Sequence, residues 1–246
     1  MRLDEFLVFH RLAENLAEAQ ALILKGDVFI ENTTITKAGY SVPADFSLDK
    51  IRIRKQKKYV ARSAEKLLSA LNAFSFSVQN KIALDCGSST GGFCEVLLEK
   101  GVKKLYAVDV GYGLLHPKIR KDDRVVVLER QHFLKLKKNQ IKDRIDFCTF
   151  DVSFISLRKI LLHAKSLFPQ AEMIAMLKPQ FEVPANAISK FLEKGIVKEE
   201  SLRQKILTDF EEFLKNQNIK VIAKADSTLK GTKGNLETFY YLRFCL

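Results

Sequence analysis

The sequence predicts an open α/β domain with a mainly parallel sheet, preceded by a smaller α+β domain, and three observations lead to this fold class. The chain has 246 residues, which suits one full domain plus a small one at roughly 150 residues per domain. Hydrophobic residues make up 47% of the chain, enough for a sizeable core. After residue 60, short apolar strands alternate with amphipathic helices, as in a parallel sheet covered by helices on both faces.

The N-terminal segment is predicted to form two short helices and a β-hairpin. Apolar residues recur at helical spacing over residues 3–24, with Asn15 as the N-cap of the second helix and Gly26 as the glycine that ends it. An alternating strand at 27–31, a turn at Asn32 and further short strands within 42–53 follow. We expect this domain to cover residues 1–58 and the larger domain to cover residues 59–246.

A basic segment lies at the boundary between the two domains, where lysine and arginine far outnumber acidic residues between positions 50 and 66. Such a strip can neutralise phosphates of a nucleic acid. The alternative is a solvated linker without a ligand. The residues predicted to contact RNA here are Arg54, Lys55, Lys57, Lys58 and Arg62.

The overall charge points in the same direction. Lysine and arginine outnumber aspartate and glutamate by 41 to 29, a net charge of +12, which attracts polyanions. Nucleic acid is the first partner class to consider and a membrane surface the second; a lysine-rich composition without such a partner is the alternative. No stretch approaches the roughly 20 apolar residues of a membrane span, and the charged N-terminus is not a signal peptide. We therefore expect a cytoplasmic protein.

The cysteines argue against a metal. The chain has four, with no CxxC pair and no histidine at metal-ligand spacing, so neither zinc nor a disulfide framework is expected.

The larger domain is predicted to contain five parallel strands and an antiparallel edge. The parallel strands are expected at 81–84, 104–108, 124–128, 145–150 and 173–177, with helices at 62–74, 91–100, 155–167 and 199–217. Two final strands, at 220–224 and 236–244, are separated by a short loop, which favours an antiparallel hairpin at the edge.

The segment ALDCGSSTGGF (83–93) carries the sharpest local signal. An apolar strand ends in an acid and is followed by glycines and a helical run, a pattern typical of a nucleotide-type cofactor loop. The spacing differs from the GxGxxG dinucleotide fingerprint, which favours S-adenosylmethionine over NAD. The cofactor-binding residues predicted in this loop are Asp85, Gly87, Ser89, Gly91, Gly92 and Phe93.

Two later strand ends extend this predicted cofactor site. Asp109 ends the strand of LYAVDVGYG, close to the roughly 20-residue offset at which an acid meets a ribose diol. His132 follows the next strand, on the expected adenine side; it is also compatible with a plain loop histidine. Asp85 and Asp109 could instead cap neighbouring helices.

Asp151 and Lys178 end two further strands, so we expect opposite charges to face one crevice. A ribose hydroxyl attacks a sulfonium methyl group only as its proton is removed. Desolvation and a neighbouring cation lower the pKa of a lysine, so a buried lysine can take such a proton. A surface lysine without this role is the alternative.

The chain resembles the TlyA-type rRNA methyltransferases, whose catalytic domain is similar to the Rossmann-like FtsJ ribose methyltransferases. In the N-terminal domain, RLDEFL and AEAQALILKGDVFIEN look like the RNA-binding motif of the S4 type, which adds Arg2 and Lys25 as expected RNA contacts. The catalytic half matches at YVARSAEKL, LDCGSSTGGF, AVDVGYG, VVVLER, DVSFISL, LKPQFE and TKGNLE. The resemblance implies the catalytic tetrad Lys66, Asp151, Lys178 and Glu237, with Lys178 as the base, Asp151 orienting it, and Lys66 and Glu237 holding the ribose.

Two departures bear on RNA binding. The family usually has Ser-Arg-Gly-Gly before the first tetrad lysine, where this chain has residues 61–64 as ARSA. The family opens its second helix with Ser-Arg, where this chain has Asn15 and Leu16. We therefore expect RNA affinity to depend more on the basic linker.

The resemblance implies a cytidine in ribosomal RNA or a ribosomal subunit as the substrate. The chain begins near RLDEFL and ends soon after YYLRF, like the shorter, large-subunit-specific form, so 23S rRNA is expected. The alternatives are a dual 16S/23S enzyme, methylation of a base atom, or a nonenzymatic RNA-binding factor or haemolysin. Carbon methylation of pyrimidines uses a cysteine nucleophile, and neither Cys86 nor Cys148 is well placed for it.

Overall fold

The computed structural model describes residues 1–43, 45–54, 59–183 and 195–245. The chain divides into two compact units, Met1–Lys58 and Tyr59–Leu246.

The helices of the N-terminal unit are α1 (Leu3–Phe9) and α2 (Leu16–Leu24). The Asn15 side chain accepts a hydrogen bond from the Glu18 amide at 3.0 Å and so caps α2, as the sequence predicted. Gly26 follows the helix with a φ of +72°, the left-handed conformation that favours glycine.

The sheet of this unit differs from the prediction in one strand. It contains β1 (Val28–Ile30), β2 (Thr33–Ile35) and β3 (Ile51–Ile53) in the antiparallel order β2-β1-β3. The hairpin partner of β1 is thus β2, which was not predicted, and among the described residues of 42–53 only β3 is a strand. A tight turn at 31–32 and the β-branched residues of β2 favour the local pairing.

The larger unit has a seven-stranded sheet in the order β6-β5-β4-β7-β8-β10-β9. Strands β4 to β8 pair in parallel, whereas β10 runs antiparallel to both β8 and β9. The strands are β4 (Ile82–Cys86), β5 (Lys104–Val108), β6 (Val125–Leu128), β7 (Phe147–Phe150), β8 (Glu172–Leu177), β9 (Ile219–Asp226) and β10 (Thr238–Phe244). The predicted Rossmann-like class and the antiparallel strands at the end are confirmed, although β9 alone forms the edge and β10 lies inside the sheet.

Helices cover both faces of this sheet because strand residues alternate between two cores. The described helices are α3 (Ser63–Ala73), α4 (Gly92–Glu99), α5 (Pro117–Arg120), α6 (Leu157–Leu167) and α7 (Glu200–Asn216). Leu84 belongs to the core that includes the apolar residues of α6 and α7, whereas Ala83 belongs to the core that includes those of α3 and α4. No helix in the described parts of the chain is long and apolar enough to cross a membrane.

This topology brings polar residues together at the side of the sheet where the parallel strands have their carboxyl ends. Parallel strands all end at this side, so Asp151 after β7 and Lys178 after β8 lie side by side. Because β10 runs antiparallel to β8, the residue that precedes β10, Glu237, lies at the same side as the carboxyl ends of the parallel strands.

Candidate active site

Two lysine–carboxylate pairs form the centre of the site. The Lys178 Nζ lies 2.6 Å from Asp151 Oδ1 and donates to Ser153 Oγ at 2.9 Å. The Lys66 Nζ, from the second turn of α3, lies 2.5 Å from Glu237 Oε2. The four residues that the sequence analysis placed in the catalytic tetrad therefore lie in two ion pairs.

Both pairs line one cavity of about 240 Å³, together with Arg62, Ser63, Leu229, Lys230 and Thr232. Lys66 and Glu237 are 9% and 3% exposed. Burying an ion pair costs several kcal/mol of desolvation per ion, so such pairs are weak stabilisers of a fold. A buried pair beside a cavity therefore points to a chemical role.

A larger cavity, about 740 Å³, adjoins the first and shares Lys178, Thr232 and Glu237 with it. Its apolar wall includes Phe154 and Phe181, whose ring centroids are 5.2 Å apart. Phe154 is 91% exposed and has a φ of +64°, an uncommon conformation for a bulky residue, and such conformations cluster at active sites and ligand clamps. Phe154 was not among the site residues predicted from the sequence, although an aromatic residue just after Asp151 was a usable signal.

The glycine loop follows β4 and touches the Asp151 segment directly. Gly87 has a φ of +86°, and a Cβ at this position would lie 2.5 Å from the Asp151 carbonyl oxygen. Gly91 (φ +99°) precedes α4, and its Cβ would meet Ile119. A Cβ on Gly92 would meet Ser63 Oγ at 2.2 Å. These glycines thus serve the packing of the protein itself, in addition to the cofactor-binding role predicted from the sequence.

Asp109 holds the same loop from the end of β5. Its Oδ2 accepts a hydrogen bond from the Ser89 amide at 2.8 Å, and its Oδ1 accepts one from the Gly111 amide at 2.7 Å. The side chain is half-buried, and each carboxylate oxygen retains a lone pair for a further donor. Asp109 and Ser89 therefore lie together at the predicted cofactor site.

Three other predicted cofactor residues lie differently. Asp85 is fully buried, and its carboxylate accepts from Thr149 Oγ1 at 2.7 Å and from Cys94 Sγ at 3.1 Å. Phe93 is buried in the core against Phe239. Neither side chain is exposed to a ligand. Asp85 lies in the buried strand β4, and Phe93 lies on the face of α4 that packs into the core. His132 is exposed, and its Nδ1 accepts from the Leu134 amide, capping a short 3-10 helix.

Burial raises the pKa of Asp85 to about 7, although the hydrogen bonds from Thr149 and Cys94 oppose the rise. Between pH 5 and 7 the folded protein therefore holds a proton that the unfolded chain has lost, so stability falls as the pH rises, by about 1.4 kcal/mol per pH unit from this group. We expect Asp85→Asn to remove this contribution to the slope of the free energy of unfolding against pH.

The pH dependence of the free energy of unfolding is measured by urea unfolding of the wild type and Asp85→Asn from pH 5 to 8. Asp123→Asn, at an exposed carboxylate, is the control and should keep the wild-type slope. Equal slopes for the wild type and Asp85→Asn would contradict the prediction.

Burial also excludes the two cysteines near the site as nucleophiles. Cys86 and Cys148 are buried, and desolvation raises the pKa of both thiols well above the ordinary value. Because the thiolate is the reactive form, base methylation through a cysteine adduct is disfavoured.

The predicted RNA contacts fall in several places. Arg62 lines the cavity of the two ion pairs. In the N-terminal unit, the Arg2 guanidinium is paired with Asp4, and Lys25 is exposed at the end of α2. The remaining predicted linker contacts, Lys55, Lys57 and Lys58, lie outside the described residues.

Strand β3 presents a cationic face in the N-terminal unit. The guanidinium carbons of Arg52 and Arg54 lie 4.6 and 5.2 Å from the centroid of the Phe29 ring. Arg54 also lies 3.5 Å from Asp27. Arg52, which the sequence analysis counted only as part of the basic segment, belongs to the same face as Arg54.

Comparison with protein families separates the chain into two matching parts. Residues 59–244 match the family model described as FtsJ-like methyltransferase, and residues 1–45 match the S4 domain.

Curated relatives match most of the chain. Hemolysin A from Brachyspira hyodysenteriae is 38% identical, over 96% of this chain and 97% of that protein. The 16S/23S rRNA (cytidine-2′-O)-methyltransferase TlyA of Mycobacterium tuberculosis is 35% identical, over 98% and 89%. The 23S rRNA (cytidine-2′-O)-methyltransferase TlyA of Campylobacter jejuni is 36% identical, over 74% and 70%.

A solved structure from Streptococcus thermophilus that carries a hemolysin name has the same fold. It is 32% identical, superimposes with a TM-score of 0.72, and the match covers 98% of this chain and 87% of that one.

Proposed function

This chain belongs to the TlyA-type branch of the FtsJ-like methyltransferases, and we propose that it methylates the ribose 2′-hydroxyl of a cytidine in ribosomal RNA, with S-adenosylmethionine as the methyl donor. One observation carries the proposal: two lysine–carboxylate pairs line a single small cavity. A hydroxyl in that cavity meets a base, a carboxylate that orients the base, and a second pair that can hold the sugar.

The residues beside the glycine loop fit an adenosyl cofactor. Asp109 is half-buried, is fixed by two loop amides, and retains lone pairs for the hydroxyls of a ribose. The loop leads into the N-terminus of α4, which favours an anionic carboxylate. Asp109 and Ser89 would hold the adenosine and amino-acid ends. When bound, S-adenosylmethionine supplies an electrophilic methyl group on its sulfonium.

The two pairs of the tetrad have different roles. In our proposal, Lys178 is the base that takes the proton of the 2′-hydroxyl as the oxygen attacks, and Asp151, 2.6 Å away, fixes the position of the amine and stabilises the ammonium ion that forms. Lys66 and Glu237 hold the sugar in line, and alignment of the reacting groups removes a large entropic part of the barrier.

The surroundings of the site suit a nucleic acid. Exposed Arg62 and Lys230 border the smaller cavity, and Lys159 and Lys233 border the larger one. Cations placed around a ribose site can contact the flanking phosphates. A match to the S4 domain in the N-terminal unit supports a structured RNA as the substrate.

We propose 23S rRNA as the substrate, because the M. tuberculosis and C. jejuni relatives, named as cytidine-2′-O-methyltransferases, both carry 23S in their names. One of the two names also includes 16S, so a dual enzyme is the second candidate. A ribosomal substrate implies that the enzyme acts in the cytoplasm.

The test is to incubate the purified protein with tritiated S-adenosylmethionine and unmethylated large or small ribosomal subunits. A 2′-O-methyl group blocks alkaline cleavage of the adjacent phosphodiester, so alkaline digestion identifies the methylated atom. We expect alkali-resistant label in the large subunit. Label in both subunits would favour the dual enzyme, and tight RNA binding without label would indicate a nonenzymatic binding factor instead.

A further inference from the structure

The connection between β5 and β6, residues 110–124, packs against the glycine loop. The His116 amide, just before α5, donates to the Thr90 carbonyl oxygen at 3.2 Å. Ile119 of α5 is buried and occupies the space that a Cβ on Gly91 would need. The glycine loop and the β5–β6 connection therefore touch directly, and a shift of one moves the other.

One carboxylate holds this connection at two points. Glu129 follows β6, and its Oε1 accepts a hydrogen bond from the Gly113 amide at 3.0 Å and another from the Arg120 guanidinium. The donor at Gly113 is a main-chain amide, which residues other than proline also provide, and Arg120 is the last residue of α5. The Glu129 side chain is 11% exposed. Glutamate is seldom buried unless it is paired, and hydrogen bonds to a charged group are roughly twice as strong as neutral ones, so Glu129 fixes both the loop after β5 and the helix.

Asp109 links the same connection to the predicted cofactor site. Its carboxylate accepts from the Ser89 amide of the glycine loop and from the Gly111 amide of the connection. The Arg130 amide, after β6, donates to the Gly111 carbonyl oxygen at 3.0 Å. A ligand that contacts Asp109 and Ser89 together therefore needs the glycine loop and the ends of β5 and β6 to be held in one arrangement.

We propose that Glu129 is a positioning residue of the cofactor site: by holding Gly113 and Arg120, it keeps the β5–β6 connection, Asp109 and the glycine loop in the arrangement that binds S-adenosylmethionine. The inference rests on the proposed function, and it gives Glu129 no contact with the cofactor or the RNA. When only a fraction of the molecules has the competent arrangement, the apparent Kd rises in inverse proportion to that fraction. Loss of Glu129 should thus weaken cofactor binding and leave the chemical step almost unchanged.

The test compares the wild type with Glu129→Ala, Glu129→Gln and Arg120→Met. The matched control is Glu172→Gln, because Glu172 is also a half-buried carboxylate paired with an arginine, yet it starts β8 at the side of the sheet opposite the site. Three quantities are measured: the Kd for S-adenosylmethionine by calorimetry without RNA, amide hydrogen exchange of residues 110–116 in the free protein, and kcat at saturating cofactor.

We expect Glu129→Ala to raise the cofactor Kd by about 10-fold or more, since it loses two hydrogen bonds to a charged group. Glu129→Gln and Arg120→Met each keep an acceptor for the Gly113 amide and should raise the Kd by roughly 3- to 10-fold. Exchange of residues 110–116 should be faster in the free variants and return to the wild-type rate with saturating cofactor, and kcat should be preserved. Glu172→Gln should keep the wild-type Kd and exchange rate even though its stability falls.

An unchanged cofactor Kd in Glu129→Ala would overturn the inference, and so would an equal rise in Glu172→Gln, because affinity would then follow general stability. A raised Kd with unchanged exchange in the free protein would indicate direct contact with the cofactor and also overturn it. Should Glu129→Ala fail to fold, Glu129→Gln and Arg120→Met decide the question by the same measurements. A wild type that binds no S-adenosylmethionine would overturn the proposed function itself, whereas a wild type that binds it as tightly as the variants do would overturn only the role of Glu129.

Discussion

Replacing Lys178 with alanine is expected to lower kcat for methyl transfer by about 10²- to 10⁴-fold, the range that a general base contributes. The amine pairs with Asp151 and contacts Ser153, and no other base is expected to replace it at the 2′-hydroxyl. Cofactor binding should be retained, because Lys178 follows β8 whereas the glycine loop follows β4. Single-turnover transfer of tritiated methyl to large subunits measures the loss.

The variant Lys178→Arg distinguishes a role of Lys178 as a base from a role of its positive charge. Arginine keeps a positive charge beside Asp151 but cannot be deprotonated in proteins. We expect this variant to be as inactive as Lys178→Ala, while Lys205→Ala, at an exposed lysine of α7, keeps wild-type activity. An active Lys178→Arg enzyme would show that Lys178 acts only by its charge.

Gly87→Ala is expected to have the second large effect, on stability and activity together. Its φ of +86° costs a residue with a Cβ roughly 1–2 kcal/mol, and its Cβ would approach the Asp151 carbonyl oxygen to 2.5 Å. Backbone must therefore shift, and the backbone that shifts carries Asp151. We expect a loss of about 2–4 kcal/mol in the free energy of unfolding and a loss of at least tenfold in methyl transfer per folded molecule.

Gly113→Ala is the matched control for this experiment. Gly113 has a φ of +69°, but a Cβ there meets no atom within 4 Å, so the substitution adds backbone strain without a clash. We expect only the strain cost, read from urea unfolding, with activity per folded molecule preserved. If both variants behave alike, the contact between the glycine loop and Asp151 is unimportant.

The sequence predicted the fold of the larger unit well because its signals are local. Apolar strands and amphipathic helices follow one another with little ambiguity, and strand ends mark the residues that face the crevice. Asp109, Asp151 and Lys178 could therefore be predicted as site residues from the residues alone. In the N-terminal unit, β2 was missed because three residues are too few to show a period.

The remaining features depend on long-range packing. Lys66 and Glu237 are 171 positions apart, and their pairing requires both the antiparallel direction of β10 and the position of α3. The motif resemblance indicated these residues, whereas periodicity could not. Similarly, Asp85 and Phe93 belong to a cofactor-loop motif, yet only the packed structure assigns their side chains to the interior.

The antiparallel direction of β10 has a practical consequence for protein engineering. The strand begins at the edge that carries the tetrad and ends, at Phe244, at the opposite edge of the sheet. A purification tag or fluorescent fusion joined after β10 would therefore leave from the side away from the catalytic cavities. Immobilising the enzyme through that end should leave the site open to a substrate as large as a ribosomal subunit.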